Sequence, residues 1–238
     1  MRVKNLRYIA FLLSLCCLFG FSFPLSWLFS KSNSEAFGSR AWLDRQIKVI
    51  TYQAPGLNPT ILKLSLTAYA KVRQKGYDNK QLLTVIDYSK PSTEKRLWVF
   101  DLKNNRVLMN TWVSHGRNSG GVMATSFSNS PGSLKSSLGV FLTDQQAYQG
   151  GNGYSLRLVG LERGINSNAY NRNVVVHGAW YVSPEVIKRN GQAGRSWGCP
   201  AVGENLVKPL IDTIKDNTLV FVYYPDREWL NHSSFVAG

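Results

Sequence analysis

Residues 96–114 read RLWVFDLKNNRVLMNTWVS. Arg96–Leu102 is a short run rich in aromatic and aliphatic residues, Lys103-Asn104-Asn105 interrupts it, and Arg106–Ser114 returns with the same texture. Two such runs about a short polar turn predict a β-hairpin. Leu82–Tyr88 (LLTVIDY) precedes the hairpin as another strand candidate. Gly139–Thr143, Ser155–Gly160, Asn173–His177 and Thr218–Tyr224 (TLVFVYY) follow it. Between these runs, residues 117–139 are dominated by Gly, Ser and Asn and predict a long, shaped loop with little regular structure.

Helix signals are fewer. Asn58-Pro59 is an N-cap followed by proline at the first helical position, and Ile61, Leu62, Leu64, Ala68, Tyr69 and Val72 then recur at roughly helical spacing up to Gly76. Ser183-Pro184 opens a short helix that Gly191 closes, and residues 203–215 predict another, kinked at Pro209. There is no internal repeat and no βαβ alternation. The expected fold is therefore mainly β (a β-rich α+β class), with a few short flanking helices. The expected organisation is residues 1–36 as an export segment, 37–80 as a linker and N-terminal helix, 81–225 as the main domain, and 226–238 as a C-terminal tail. Within it, residues 31–56 read as a Ser-rich tether.

Arg2, Lys4 and Arg7 precede Tyr8–Phe29, a run without charge. A basic start before an apolar run predicts export, by a cleaved signal peptide or a retained membrane anchor through residues 8–29. Ser34-x-Ala36 offers small residues for cleavage after Ala36. Either outcome puts the remainder outside the cytoplasm, in the periplasm or cell envelope. Cys16 and Cys17 lie inside the run and read as apolar filler, since Leu15 is bulky where a lipid-attachment signal needs a small residue. That leaves Cys199 as the one thiol of the exported part, where no internal disulfide can form.

The formal net charge is +14, and only four of the 28 basic residues lie in residues 1–36. An exported chain rarely meets nucleic acid, so an anionic wall or membrane surface is the more natural counterpart, with plain solubility charge as the competing reading.

Cys199 stands in Gly194-Arg195-Ser196-Trp197-Gly198-Cys199-Pro200, a polar turn rather than an aliphatic setting. Twenty-two residues upstream, the strand candidate Asn173–Val176 runs into His177-Gly178. The connection is long enough to return the cysteine to that strand end, where His177 could take its proton and activate it as a nucleophile. Arg195 adds a positive charge, and the helix expected near Gly203 would point its positive end at an anion. Pro200 has no N–H, so oxyanion donors must be the amides of Cys199 and of Gly198 or Trp197. Gly198 lets a substrate carbonyl approach them. A structural histidine with an incidental cysteine is the competing reading.

His177-Gly178 followed by Gly194-Arg195-Ser196-x-Gly198-Cys199-Pro200 resembles the L,D-transpeptidase (YkuD-like) catalytic domains, whose signature is an HG pair, a loop, then S/T-H-G-C. Phe127-Ser128-Asn129, Ser136-Ser137-Leu138-Gly139, and Gly160-Leu161-Glu162 leading to Arg172 and His177 resemble a branch of that family ending GRS-x-GCPA. The likeness covers roughly residues 80–225. It implies a mixed β-sandwich of the L,D-transpeptidase kind, Cys199 as nucleophile and His177 as general base. It also implies murein stem peptides as substrate, with attack at the third stem residue and release of D-alanine, and no metal or organic cofactor. Trp197 stands where the family has a second histidine, so proton transfer falls on His177, and the His177–Cys199 spacing is a few residues longer than usual.

Ser196 is a candidate hydrogen-bond partner near the nucleophile. Arg195 is a candidate for a stem carboxylate or for pinning the loop, Trp197 for packing the turn or lining a groove, and Gly178 for substrate contact. His115, in Ser114-His115-Gly116-Arg117, ends a strand in the same manner; it is a candidate for the substrate groove or an ordinary strand-end histidine. His232 is expected in the solvent-exposed tail. Three activities stay open: a transpeptidase, an L,D-carboxypeptidase using water as acceptor, and a non-catalytic murein-binding envelope protein.

Overall fold

The computed structural model describes residues 36–78 and 80–237, which fall within one compact unit. The readings of Tyr8–Phe29, Cys16 and Cys17 fall outside the described residues. Among the described residues, no helix is long and apolar enough to cross a membrane.

The chain begins with α1 (Arg40–Gln53) and α2 (Pro59–Gln74), followed by β1 (Leu82–Asp87), β2 (Leu97–Asp101) and β3 (Arg106–Thr111). Next come β4 (Gly139–Thr143), β5 (Tyr148–Gly150), β6 (Gly153–Gly160) and β7 (Val175–Gly178). The order closes with α3 (Pro184–Asn190), β8 (Ala201–Val202), α4 (Glu204–Ile214), β9 (Leu219–Tyr223) and α5 (Arg227–His232). The nine strands form one mixed sheet in the order β3-β2-β1-β9-β4-β6-β7-β8, with β5 paired to β6. The mainly β class with flanking helices is thus the fold observed.

The hairpin forms as expected: β2 and β3 pair antiparallel around a turn in which Asn105 takes a left-handed φ of 53°. β3 is the edge strand and alternates exposed with half-buried residues, whereas every residue of β1 and β4 is buried. The interior strands read as nearly continuous apolar runs for that reason, with Thr84, Asp87 and Thr143 as buried polar exceptions: both faces are covered.

Two segments differ from expectation. Residues 31–56, read as a tether, contain the 14-residue α1. Ser39 caps it by accepting from the Trp42 amide at 3.2 Å, and Trp42, Gln46 and Ile50 form its buried face. Those residues are spaced four apart, and polar residues between them masked the periodicity. The expected tail contains α5, whose Trp229 is buried, and Phe235 and Val236 beyond it enter the core. Glu162 anchors this segment. Its carboxylate, itself buried, accepts from the Val140 amide at 2.7 Å, from the Trp229 indole at 3.2 Å, and from the Ser233 hydroxyl. His232 is exposed, as expected.

Candidate active site

β7 and β8 pair in parallel, with His177 opposite Ala201 and Gly178 opposite Val202. Cys199, two residues before Ala201, consequently stands beside Val175, two residues before His177. The Val175 amide donates to the Cys199 sulfur at 3.4 Å, and the thiol points its own proton at the Asn173 carbonyl, 3.6 Å away. Asn173 can present that carbonyl because it enters the strand in the left-handed region, with a φ of 55°. The thiol is half-buried.

The turn around Cys199 is fixed from three sides by serines. Ser196 Oγ donates to the Cys199 carbonyl at 2.6 Å and accepts the Gly198 amide at 3.1 Å. Ser136 Oγ donates to the Gly198 carbonyl at 3.1 Å, and Ser114 Oγ accepts the Ala201 amide at 3.2 Å. Gly198 holds a φ of 125°, and an added Cβ would lie 2.8 Å from the Lys135 carbonyl oxygen, so glycine is required there. Because its amide is already spent on Ser196, Gly198 is not a free oxyanion donor. Among the described residues the amides of Trp197 and Cys199 carry no hydrogen bond.

His177 Nδ1 lies 2.9 Å from the Gly178 carbonyl. A carbonyl only accepts, so Nδ1 carries the proton and Nε2 keeps its lone pair. Burial pulls the imidazole below its ordinary value, with the bond to Gly178 opposing. His177 is therefore a neutral acceptor. Burial pushes the Cys199 thiol up, while the Val175 amide and the charge of Arg172 pull it back. Among the described residues no hydrogen bond joins the two groups directly.

The cation whose charge pulls the Cys199 thiol down is Arg172, not Arg195. Arg172 Nη2 comes within 3.5 Å of the Cβ position at Gly198. In the sequence Arg172 is one unmarked residue of a resemblance; its place appears only where the 162–173 segment meets the 128–137 loop. Arg195 is exposed and donates to the Gly120 carbonyl at 3.1 Å. Together with Arg117 and Trp197, which is 75% exposed, it lines an open cleft of about 330 Å³.

His115 and Gly178, the two other candidates for substrate contact, are held by internal packing. His115 is fully buried and offers no surface to a substrate. Arg96 Nη2 donates to its Nδ1 at 2.8 Å, which leaves the proton on Nε2, 3.4 Å from the Gly120 carbonyl. Burial and the Arg96 charge push His115 down to about 4. Gly178 is packed against α4, where an added Cβ would lie 2.9 Å from Val207 Cγ1.

A family model described as L,D-transpeptidase catalytic domain matches residues 53–223. No curated relative matches the chain. Among solved structures, an L,D-transpeptidase from Mycobacterium smegmatis is 16% identical over 60% of this chain and 59% of its own, with a TM-score of 0.37. L,D-transpeptidase 1 of Mycobacterium tuberculosis is 14% identical over 60% and 62%, with a TM-score of 0.35. An L,D-transpeptidase from Stackebrandtia nassauensis is 12% identical over 76% and 77%, with a TM-score of 0.34. The chain spans about three-fifths of the two mycobacterial structures.

Proposed function

The chain belongs to the L,D-transpeptidase catalytic-domain family, and from that premise we propose that it transfers acyl groups on peptidoglycan stem peptides, with Cys199 as nucleophile and His177 as base. The observation that carries this reading is the His177 tautomer: Nδ1–H is tied to the Gly178 carbonyl, so Nε2 is the nitrogen able to take a proton. The β7–β8 register supports it as well, since Cys199, just before β8, lies beside Val175, two residues before His177 on β7.

The steps follow from those groups. Nε2 takes the thiol proton, and the sulfur attacks the carbonyl carbon of the third stem residue. The amides of Cys199 and Trp197 hold the oxyanion. As the C–N bond breaks, His177 returns the proton to the departing amine, and D-alanine leaves with a thioester on Cys199. An amine of a second stem then attacks the thioester, its proton passes through His177 to the sulfur, and a crosslink results. The cleft of Arg117, Arg195 and Trp197 gives a stem carboxylate two guanidinium groups and an aromatic wall. The same reading places the domain in the cell envelope, held there or released by the segment before Ala36.

Incubation with a carbapenem, then with a tetrapeptide-containing muropeptide, tests this by mass. The expected results are a covalent adduct on Cys199, absent in Cys199→Ala, and release of D-alanine. Absence of both overturns the reading, and D-alanine release with water as the only acceptor, even when amine stems are abundant, replaces the transpeptidase by a carboxypeptidase. N-terminal sequencing of the exported protein tests cleavage after Ala36.

A further inference from the structure

Arg172 is half-buried and leaves the 162–173 segment one residue before Asn173, whose carbonyl faces the thiol. Its Nη1 donates to the Ser128 carbonyl at 2.7 Å and to Ser137 Oγ at 2.6 Å. Nη2 donates to the Lys135 carbonyl at 2.7 Å and to Ser133 Oγ at 3.1 Å. All four acceptors are neutral. Among the described residues, no carboxylate forms an ion pair with this guanidinium. A half-buried cation normally takes an anionic partner, because neutral dipoles satisfy its hydrogen bonds without cancelling its charge.

The charge lies against the turn that carries Cys199, and it pulls the thiol back down against the effect of burial. The Lys135 carbonyl that accepts from Nη2 is the same one that lies 2.8 Å from the Cβ position of Gly198, and Nη2 itself is 3.5 Å from that point. The guanidinium is thus fixed behind the cysteine turn by four hydrogen bonds, with both terminal nitrogens occupied. With no hydrogen bond to the sulfur among the described residues, it can reach the thiol only through its field. The other titratable groups around the thiol are His177, Tyr88 and Tyr181. Burial pushes each tyrosine up to about 12, so both are neutral. His177 becomes positive only after it has accepted the thiol proton.

We propose that Arg172 is the positioning cation that stabilises the Cys199 thiolate, serving where Trp197 leaves no second imidazole beside the nucleophile. It rests on the cysteine reading above but not on acyl transfer itself. When Sγ gives its proton to Nε2 of His177, the anion forms facing a charge already in place, so no side chain has to reorganise.

The test uses the full chain and reads the thiol directly, by the pH dependence of Cys199 alkylation with iodoacetamide. Cys16→Ser and Cys17→Ser keep the signal to one cysteine. In Arg172→Gln the thiol pKa is expected to rise by about one unit, leaving roughly tenfold less thiolate at a given pH. Arg172→Lys keeps the charge but cannot make four planar hydrogen bonds, and is expected within about 0.3 unit of wild type. Ser133→Ala together with Ser137→Ala removes two acceptors without touching the charge and is expected to leave the thiol in place. An unchanged thiol in folded Arg172→Gln overturns the proposal, and so does a Lys variant that shifts upward by as much as half a unit. If the Gln variant does not fold, Arg172→Met, which also removes the charge, is read in its place, and an unchanged thiol there overturns the proposal. Failure of muropeptide turnover with these shifts intact refutes acyl transfer and spares Arg172; turnover with an unmoved thiol does the reverse.

Discussion

His115-Gly116 follows β3 and His177-Gly178 ends β7, and the two dipeptides are indistinguishable as text. Their environments assign them opposite work. At His115, Arg96 donates into Nδ1 and Nε2–H points at the Gly120 carbonyl, so both nitrogens are spent on structure. At His177, Nδ1–H is spent on the Gly178 carbonyl, while Nε2 has no partner among the described residues. Both rings are buried and held neutral, and burial alone does not separate them. The difference lies in which nitrogen remains unused.

The largest effect should come from exchanging those roles. His177→Ala is expected to lower kcat/KM for D-alanine release by about 10³-fold, the scale of a lost general base. His115→Asn, which keeps an acceptor toward Arg96, should lower it less than about tenfold, a small change on the same scale. Steady-state kinetics with a tetrapeptide muropeptide measures both, with circular dichroism confirming that each variant is folded. Equal losses in the two would erase the comparison.

The two glycines differ in the same direction. A Cβ at Gly116 would lie 2.4 Å from the Leu134 carbonyl oxygen and 3.0 Å from the Gly198 Cα, both backbone atoms. Nothing there can turn aside without moving the cysteine turn. Gly116→Ala is expected to cost about 3 kcal/mol or more in urea unfolding, at the severe end for a single substitution. It should depress turnover as well, since the Gly116 amide is held 3.0 Å from Ser136 Oγ, which in turn fixes the Gly198 carbonyl.

Much of this was legible beforehand, for identifiable reasons. The β2–β3 hairpin, β4, β9, α2 and α3 each combine a compositional run with a turn or a cap, and those signals are local. α1 was hidden because its buried face is only Trp42, Gln46 and Ile50, one of them polar. The short strands β5 and β8 have no composition of their own and exist through pairing. At the site, Cys199 and His177 were visible because a thiol and an imidazole are rare in this chain. Arg172 and Ser136 enter the sequence reading only as residues of the resemblance, and Ser114 only as the neighbour of His115, because each matters through partners 35 to 87 residues away, such as Ser137, Gly198 and Ala201. His115 stays open between groove and structure in the sequence for the converse reason: its burial depends on Arg96 and Gly120, partners that nothing beside it in the text marks.

The buried histidine can also be read through pH. Its folded value, about 4, lies below the ordinary 6.5, so folding favours the neutral ring. The unfolded chain binds the extra proton between those values. This stabilisation is complete above pH 6.5 and is lost as the pH falls toward 4. At about 1.4 kcal/mol per unit, the loss is on the order of 3 kcal/mol across the window. His115→Asn removes the titration, so its stability should fall less steeply between pH 6.5 and 4 than that of wild type. Asp78 and Asp87, which burial holds above their ordinary values, contribute with opposite sign in both proteins and cancel in the difference. Urea midpoints at pH 7 and 5 give the two slopes, and parallel slopes would mean that the folded protein does not hold His115 neutral through burial and the Arg96 charge.

The smallest effect belongs to Gly178. Here an added Cβ meets mainly the end of a side chain, Val207 Cγ1 at 2.9 Å, and the nearest backbone atom is the Glu204 Cα at 3.4 Å. A methyl group on α4 can give way where a carbonyl in the cysteine turn cannot. Gly178→Ala alone should cost about 1–2 kcal/mol, an ordinary overpacking penalty. Adding Val207→Ala should recover part of that loss, although removing Val207 from the native protein is itself destabilising. A negative interaction energy in the double-mutant cycle is therefore the diagnostic result. Gly116→Ala has no single side chain whose truncation could relieve it. If Val207→Ala fails to couple with Gly178→Ala, the glycine after His177 is constrained by its carbonyl bond to Nδ1 rather than by the approach of α4.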